Sequence, residues 1–344
     1  MQPAFVVRLF PSGPWRIGPD SGQRDRAGSI LHSDTLYSAV CGAMARLGLL
    51  EEWLEAIFGN AEGPAVRFSS CYPFQQDVSF VIPPSSLWPP PPSLKVRWKG
   101  ARFVPLSLVE AMLAEQPLDE ESWRVDGFSQ CLVPAGWDRG PFRNSIRSQA
   151  AVDRLSGDVT VHRTACQEFS PGAGLWALAA FSDEAAAARW AEPVRAAFRL
   201  LADSGLGGER SSGWGRSHAP EFHDGVLPEL LLRNGAASAV PAEGLPPAET
   251  AYWLLSLFTP AAGDSVDWGR GSYSLMNREG RVESPAVHGA LKKRSRMVAE
   301  GAVIFSPAPP TGSAHNVAPE GVPHPVYRAG FALAIPIPWR EVPR

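Results

Sequence analysis

The stretch "GLGGERSSGWGR", Gly205 to Arg216, places five glycines in twelve residues, directly behind a long helical pattern and ahead of a strand-like one. Glycine admits positive φ and carries no Cβ, so something must come close to this backbone. The order helix, loop, strand excludes the familiar nucleotide loops. A dinucleotide fingerprint runs from strand through G-x-G-x-x-G into a helix, and here Arg210 stands where the third glycine belongs. A phosphate-binding P-loop needs lysine after its last glycine, but Trp214 follows Gly213. Two readings remain. In one, Gly205, Gly207, Gly208 and Gly213 let a phosphodiester lie against backbone N–H groups. Arg210, Ser211, Ser212 and Arg216 then stand exposed beside it, and Trp214 offers a stacking face. In the other, the glycines line a helix–sheet contact.

The pattern around this loop alternates strands and helices. "FVVRLF" (Phe5 to Phe10) reads as a first strand, and "LHSDTLYSAVCGAM" opens a helix with Ser33 as N-cap and Asp34 favoured by the helix dipole. The run "PPSSLWPPPPSL" is a stiff connector, and "PLSLVEAMLAEQ" a short helix. From residue 136 to 163 the chain carries five arginines, few apolar anchors and a turn signal at Ser156-Gly157-Asp158, as in a protruding arm. "GLWALAAF" is a buried strand. The next segment is a helix capped by Ser182, kinked or segmented at Pro193 and closed by Gly205. The layout predicts an α+β protein of two split β-α-β units. Residues 1–225 form the first, with the arm at about 130–165 and the glycine loop at 205–216; 226–248 link it to a second unit at 249–344.

Composition narrows function by exclusion. No apolar run is long enough to span a membrane, and the start "MQPAFVVRLFPSGPW" lacks a signal-peptide pattern, so a cytoplasmic protein is expected. The four cysteines form no C-x-x-C pair, the seven histidines show no ligand spacing, and no carboxylate pair stands out, so no metal and no cofactor are expected. Net charge is only −3, yet all but four of the 32 basic residues are arginine, whose planar fork suits phosphates and stacks on bases; GC-rich coding explains the same bias. His32-Ser33-Asp34 cannot be a catalytic triad, because neighbours at a helix start point apart. His32 is left as a plain loop histidine, an RNA contact or a general acid/base.

The first strand, the "LHSDTLYSAVCGAM" helix, the arginine-rich arm, the helix into "GLGGERSSGWGR" and the closing "HPVYRAGFALAIPI" together resemble the RAMP proteins of CRISPR systems, and among them subunit four of the type III-A Csm complex. The likeness spans nearly the whole chain. It implies two ferredoxin-like (RNA-recognition-motif-like) domains with a glycine-rich loop and an inserted thumb-like arm. It implies a non-catalytic subunit that holds the 5′ tag of the crRNA. Such a subunit meets the large Palm-domain subunit and a backbone RAMP subunit, and target RNA indirectly. The RNA-binding set would be His32, Ser33, Arg143, Asn144, Arg147, Arg154, Arg163, the loop residues above, and Lys292, Lys293 and Arg294. The sibling subunit of the Cmr complex has nearly the same layout. A repeat-cleaving endoribonuclease of the same superfamily, using His32, is the enzymatic alternative.

Overall fold

A computed structural model describes residues 2–18, 23–60, 63–88, 97–232, 250–284 and 287–338. The prolines at 89–92 and most of the expected linker lie outside them. In the first unit β1 (Gln2–Leu9) leads to α1 (Ser33–Arg46) and α2 (Leu50–Leu54). Then come β2 (Val66–Phe68), β3 (Tyr72–Gln75), β4 (Val78–Val81), β5 (Val104–Pro105), α3 (Leu106–Leu113) and the hairpin β6 (Trp123–Asp126) to β7 (Cys131–Pro134). A long hairpin, β8 (Phe142–Val152) and β9 (Val159–Phe169), precedes β10 (Ala173–Phe181), α4 (Glu184–Ser204) and β11 (Glu221–Leu227). The main sheet is antiparallel, ordered β11-β1-β10-β3-β4-β5, with β2 also paired to β10.

Strand β10 sits at its centre because "AGLWALAAF" is apolar on both faces, and every residue of it is buried. One face packs α1 and α4, through Leu36, Val40 and Met44 of the first and Trp190, Val194, Phe198 and Leu201 of the second. The other face takes α3, the β6–β7 hairpin and the second unit. Helix α4 differs from expectation twice. Its N-cap is Asp183, whose carboxylate accepts from the Ala186 N–H at 2.8 Å, and Pro193 does not divide it into two segments. The single hydrogen bond that proline removes is outweighed by an apolar face running the length of the helix.

The second unit is β throughout its described residues, where a second β-α-β unit was expected. A sheet of β12 (Thr250–Leu254), β13 (Asp267–Ser272), β18 (Val303–Ser306) and β21 (Ala334–Ile337) is ordered β13-β18-β12-β21. Two-stranded pairs join β14 (Leu275–Arg278) to β17 (Ser295–Val298), β15 (Arg281–Glu283) to β16 (His288–Leu291), and β19 (Gly312–Asn316) to β20 (Tyr327–Phe331). The physical reason is run length. "TAYWLLSLFTP" is aromatic and short, and Gly, Ser and Pro interrupt every later apolar run before it reaches a helical length.

Candidate nucleic-acid interface

The glycine loop resolves into two kinds of glycine. Gly205, Gly207, Gly213 and Gly215 all have positive φ. A Cβ on Gly207 would lie 2.3 Å from the Arg16 carbonyl oxygen, one on Gly215 2.0 Å from that of Leu206, and one on Gly205 2.6 Å from that of Trp214. The loop therefore folds onto itself and onto the segment after β1, where the Gly208 N–H donates to the Arg16 carbonyl at 2.9 Å and the Gly215 N–H to that of Pro14 at 2.9 Å. Chain-on-chain packing explains these three glycines. Gly213 is different, because a Cβ there would meet nothing within 4 Å. It follows the turn Arg210–Ser212, where Ser211 and Ser212 are exposed, as is Arg216. Trp214 is only 7% exposed, so the expected stacking face does not exist: the loop turns the indole inward. Gly205 is buried as well.

His32, Ser33 and Asp34 fasten the two units together, a role the sequence did not disclose. His32, not Ser33, stands at the N-cap position of α1, and its side chain makes no capping hydrogen bond there. Ser33 is 1% exposed; its N–H donates to the Ser70 hydroxyl at 2.9 Å, and its hydroxyl accepts from the Leu257 N–H at 3.0 Å, so it does not reach the surface. Asp34 is buried beside Arg278, whose Nη2 lies 2.8 Å from Oδ1 and Nε 3.1 Å from Oδ2, with Arg328 Nε at 3.7 Å. Burial alone would raise its pKa, but the two guanidiniums and His32 win and hold it at about 2. His32 Nδ1 lies 2.7 Å from Oε1 of buried Glu300, which also accepts from the Ser70 hydroxyl. Burial pushes Glu300 up, yet His32 and Ser70 bring it net below the usual carboxylate value.

Around this junction lies a cleft of about 860 Å³. One wall is the glycine loop from Gly205 to Gly208 with Arg210; the other is Arg278, Gly280, Arg281 and Ser284 of the second unit. Its floor is α1, through Thr35, Ser38, Gly42 and Arg46 opposite the helix's apolar stripe, with His32 at the helix start. Sequence reasoning missed this floor and the second-unit wall. The signal was present in the i, i+3, i+7 spacing of Thr35, Ser38 and Gly42, small and polar residues that let a ligand approach a helix. Arg16 was missed too. Buried at the cleft edge, it bonds the carbonyls of Arg24 and Ala165 at 3.0 Å and of Gln23 at 3.2 Å, so it ties the base of the long hairpin to the glycine loop.

That hairpin spans residues 142–169, where the arm was expected at about 130–165. Its ladder runs in register from Phe142–Phe169 to Val152–Val159. Arg143 and Arg147 share one face, both paired with Glu168, at 3.0 and 2.9 Å. Asn144 and Arg163 are on the other face, and Arg154 is in the tip turn. Lys293 and Arg294 are exposed on the second unit, Arg294 2.6 Å from Glu279, while Lys292 is half-buried and its pKa is lowered by burial and then by Arg328. None of these three is in the cleft lining. Among the described residues no group of three or more His, Cys, Asp or Glu side chains could hold a metal ion.

This geometry has known counterparts. No curated protein matches the chain by sequence. A subunit of a solved Csm3-Csm4 subcomplex of the type III-A CRISPR-Cas interference complex is 16% identical, covers 98% of this chain and 100% of its own, and superposes with a TM-score of 0.62. A subunit of a Csm1-Csm4 cassette in complex with cA4 is 17% identical, covers 99% and 100%, and superposes with a TM-score of 0.56. The whole chain thus has the fold of a CRISPR effector subunit, the Csm4 common to both assemblies. Residues 248–337, in addition, match the family model of the CRISPR Csm4 C-terminal domain.

Proposed function

We propose that this chain is the Csm4 subunit of a type III-A CRISPR effector, binding the 5′ tag of a crRNA in the cleft and bridging a Csm1-like large subunit to Csm3-like backbone subunits. The observation that carries the reading is the convergence of the glycine loop and the polar floor of α1 on one cleft, to whose edge Arg16 ties the base of the arm, in a chain whose residues 248–337 match the Csm4 C-terminal domain. The order β11-β1-β10 with α1 and α4 on one face is what a ferredoxin-like first unit requires. Single-stranded nucleotides lie along the cleft past Gly207 and Gly208, with Arg46, Arg210 and Arg281 supplying charge, and continue over the turn Ser211, Ser212 and Gly213 that follows Arg210 outside the cleft lining. The arm acts as a thumb, its Arg143 and Arg147 exchanging Glu168 for phosphates. A crRNA with a scrambled tag should compete poorly against the natural one for the purified subunit, and neither should be cut. Equal competition would reduce the chain to a general RNA binder.

A second reading has one observation in its favour. His32 lines the cleft while buried Glu300 engages its Nδ1, an orientation that suits a general acid/base. Metal-independent cleavage of repeat RNA, abolished by His32→Ala, would establish it and overturn the non-catalytic assignment.

A further inference from the structure

The two ring nitrogens of His32 face different surroundings. Nδ1 lies 2.7 Å from Oε1 of Glu300, a second-unit carboxylate that is 1% exposed and also accepts from the Ser70 hydroxyl. Burial raises Glu300, but His32 and Ser70 bring it net below the ordinary carboxylate value. At neutral pH it therefore carries no proton, and Nδ1 must be the donor of the pair. That fixes the ring: in the neutral imidazole Nε2 is bare and accepts. Among the described residues Nε2 has no hydrogen-bond partner, yet it is not sealed off. On a side chain nine-tenths buried, this leaves Nε2 open to the cleft that His32 lines.

We propose that His32 Nε2 accepts the hydroxyl hydrogen of one ribose of the bound RNA, with Glu300 as its positioning residue, so that the cleft tells RNA from DNA at that nucleotide. This deepens the proposed tag-binding role and rests on it. The chemistry of the lining selects the sugar. Among the described residues no Phe, Tyr or Trp lines the cleft to stack a base. Arg46, Arg278 and Arg281 stand around the floor and draw the phosphodiester backbone, with its riboses, toward it. A guanidinium only donates, so it serves phosphate and cannot take a ribose hydrogen. Glu279, the carboxylate in the lining, is engaged by Arg294 at 2.6 Å. At the floor Nε2 supplies the acceptor that the arginines lack, and the 2′-hydroxyl is the group by which a protein separates RNA from DNA. Because Glu300 belongs to the second unit, His32 is aimed only once the two units have packed.

The test uses the full chain and synthetic RNA of the tag, carrying one 2′-deoxy nucleotide at each position in turn. At one position the substitution should weaken binding about five- to tenfold, and a change of base at the same nucleotide should not. His32→Asn keeps an amide donor toward Glu300 but has nothing at the place of Nε2. It should melt close to the parent and bind the ribose and deoxyribose forms alike, with an unchanged salt slope. Glu300→Ala should lose the same discrimination, while Glu300→Gln, which keeps an acceptor for Nδ1, should retain it; that rescue separates aiming the ring from merely holding the fold. A salt slope smaller by about 0.7 in His32→Asn would mark a phosphate contact and overturn the proposal. So would deoxyribose sensitivity equal in parent and His32→Asn, or an effect that follows the base. Cleavage beside that nucleotide would make His32 catalytic and overturn it as well. Should the parent bind no RNA at all, the functional reading falls and this inference with it; RNA bound alike with and without each ribose hydroxyl sinks the inference alone.

Discussion

Replacing Asp34 by Asn should loosen the junction between the two units and abolish most of its acid sensitivity. The carboxylate lies between Arg278 and Arg328, and the three side chains are 6%, 7% and 4% exposed. An amide of the same shape keeps one acceptor but leaves two buried guanidiniums facing each other. Breaking a buried pair from one side costs about 3–5 kcal/mol, and about 2–4 °C per kcal/mol for chains of 150–250 residues gives a fall of roughly 6–20 °C in melting temperature. The pH dependence follows independently. A carboxyl lowered from 3.8 to about 2 on folding contributes ~2.5 kcal/mol. Because the folded pKa is the lower one, that contribution is complete above about pH 4 and is lost as pH falls through 2. Glu300 is also held below its ordinary value, against burial, by His32 and Ser70, so its contribution too is lost on acidification and Glu300→Gln serves as the comparison. The assay is differential scanning fluorimetry from pH 7 to pH 2, followed by urea denaturation at pH 7. If Asp34→Asn melted within about 2 °C of the parent and its acid transition were unmoved, the ion pair would not be holding the units together.

Three further outcomes are expected. Gly215→Ala and Gly207→Ala should each destabilise by more than the ~1–2 kcal/mol of a left-handed residue, because each Cβ also overlaps a carbonyl; Gly213→Ala should cost only the conformational part and lower RNA affinity instead. Thermal melts and filter binding separate the two effects. Alanine at Arg143, Arg147, Arg154 and Arg163 should flatten the salt dependence of RNA binding by about 0.7 slope units for each phosphate no longer neutralised, and an unchanged slope would remove the arm from the RNA path. Arg46→Glu, on the exposed floor of α1, should weaken RNA binding at least tenfold with an unchanged melting temperature.

Local pattern was enough for β1, α1, β10 and α4 and for the place of the glycine loop, but not for β2 to β7. The apolar run of β10, the stripe of Leu36, Val40 and Met44, and the arginine-rich hairpin with its Ser-Gly-Asp turn are each written within a short stretch of chain. The loop's glycines also announced a close approach, although not of what. Tertiary structure decided the partner at each position. Trp214 looked like an exposed ring and is buried, because solvent exposure depends on the path of the loop and not on its composition. Asp34 looked like a helix-dipole partner and is an ion pair with Arg278, 244 residues away. His32 meets Glu300 and Ser33 meets Leu257 across similar distances in sequence. Pairings of that span leave no periodicity behind, since nothing in the spacing of residues along the chain records which of two distant charges will share one dry cavity. The same holds for the cleft, whose second wall belongs to a unit whose strands the sequence shows only as short, interrupted runs. Hydrophobic alternation, by contrast, is a property of neighbours, and it set the elements before any of them met.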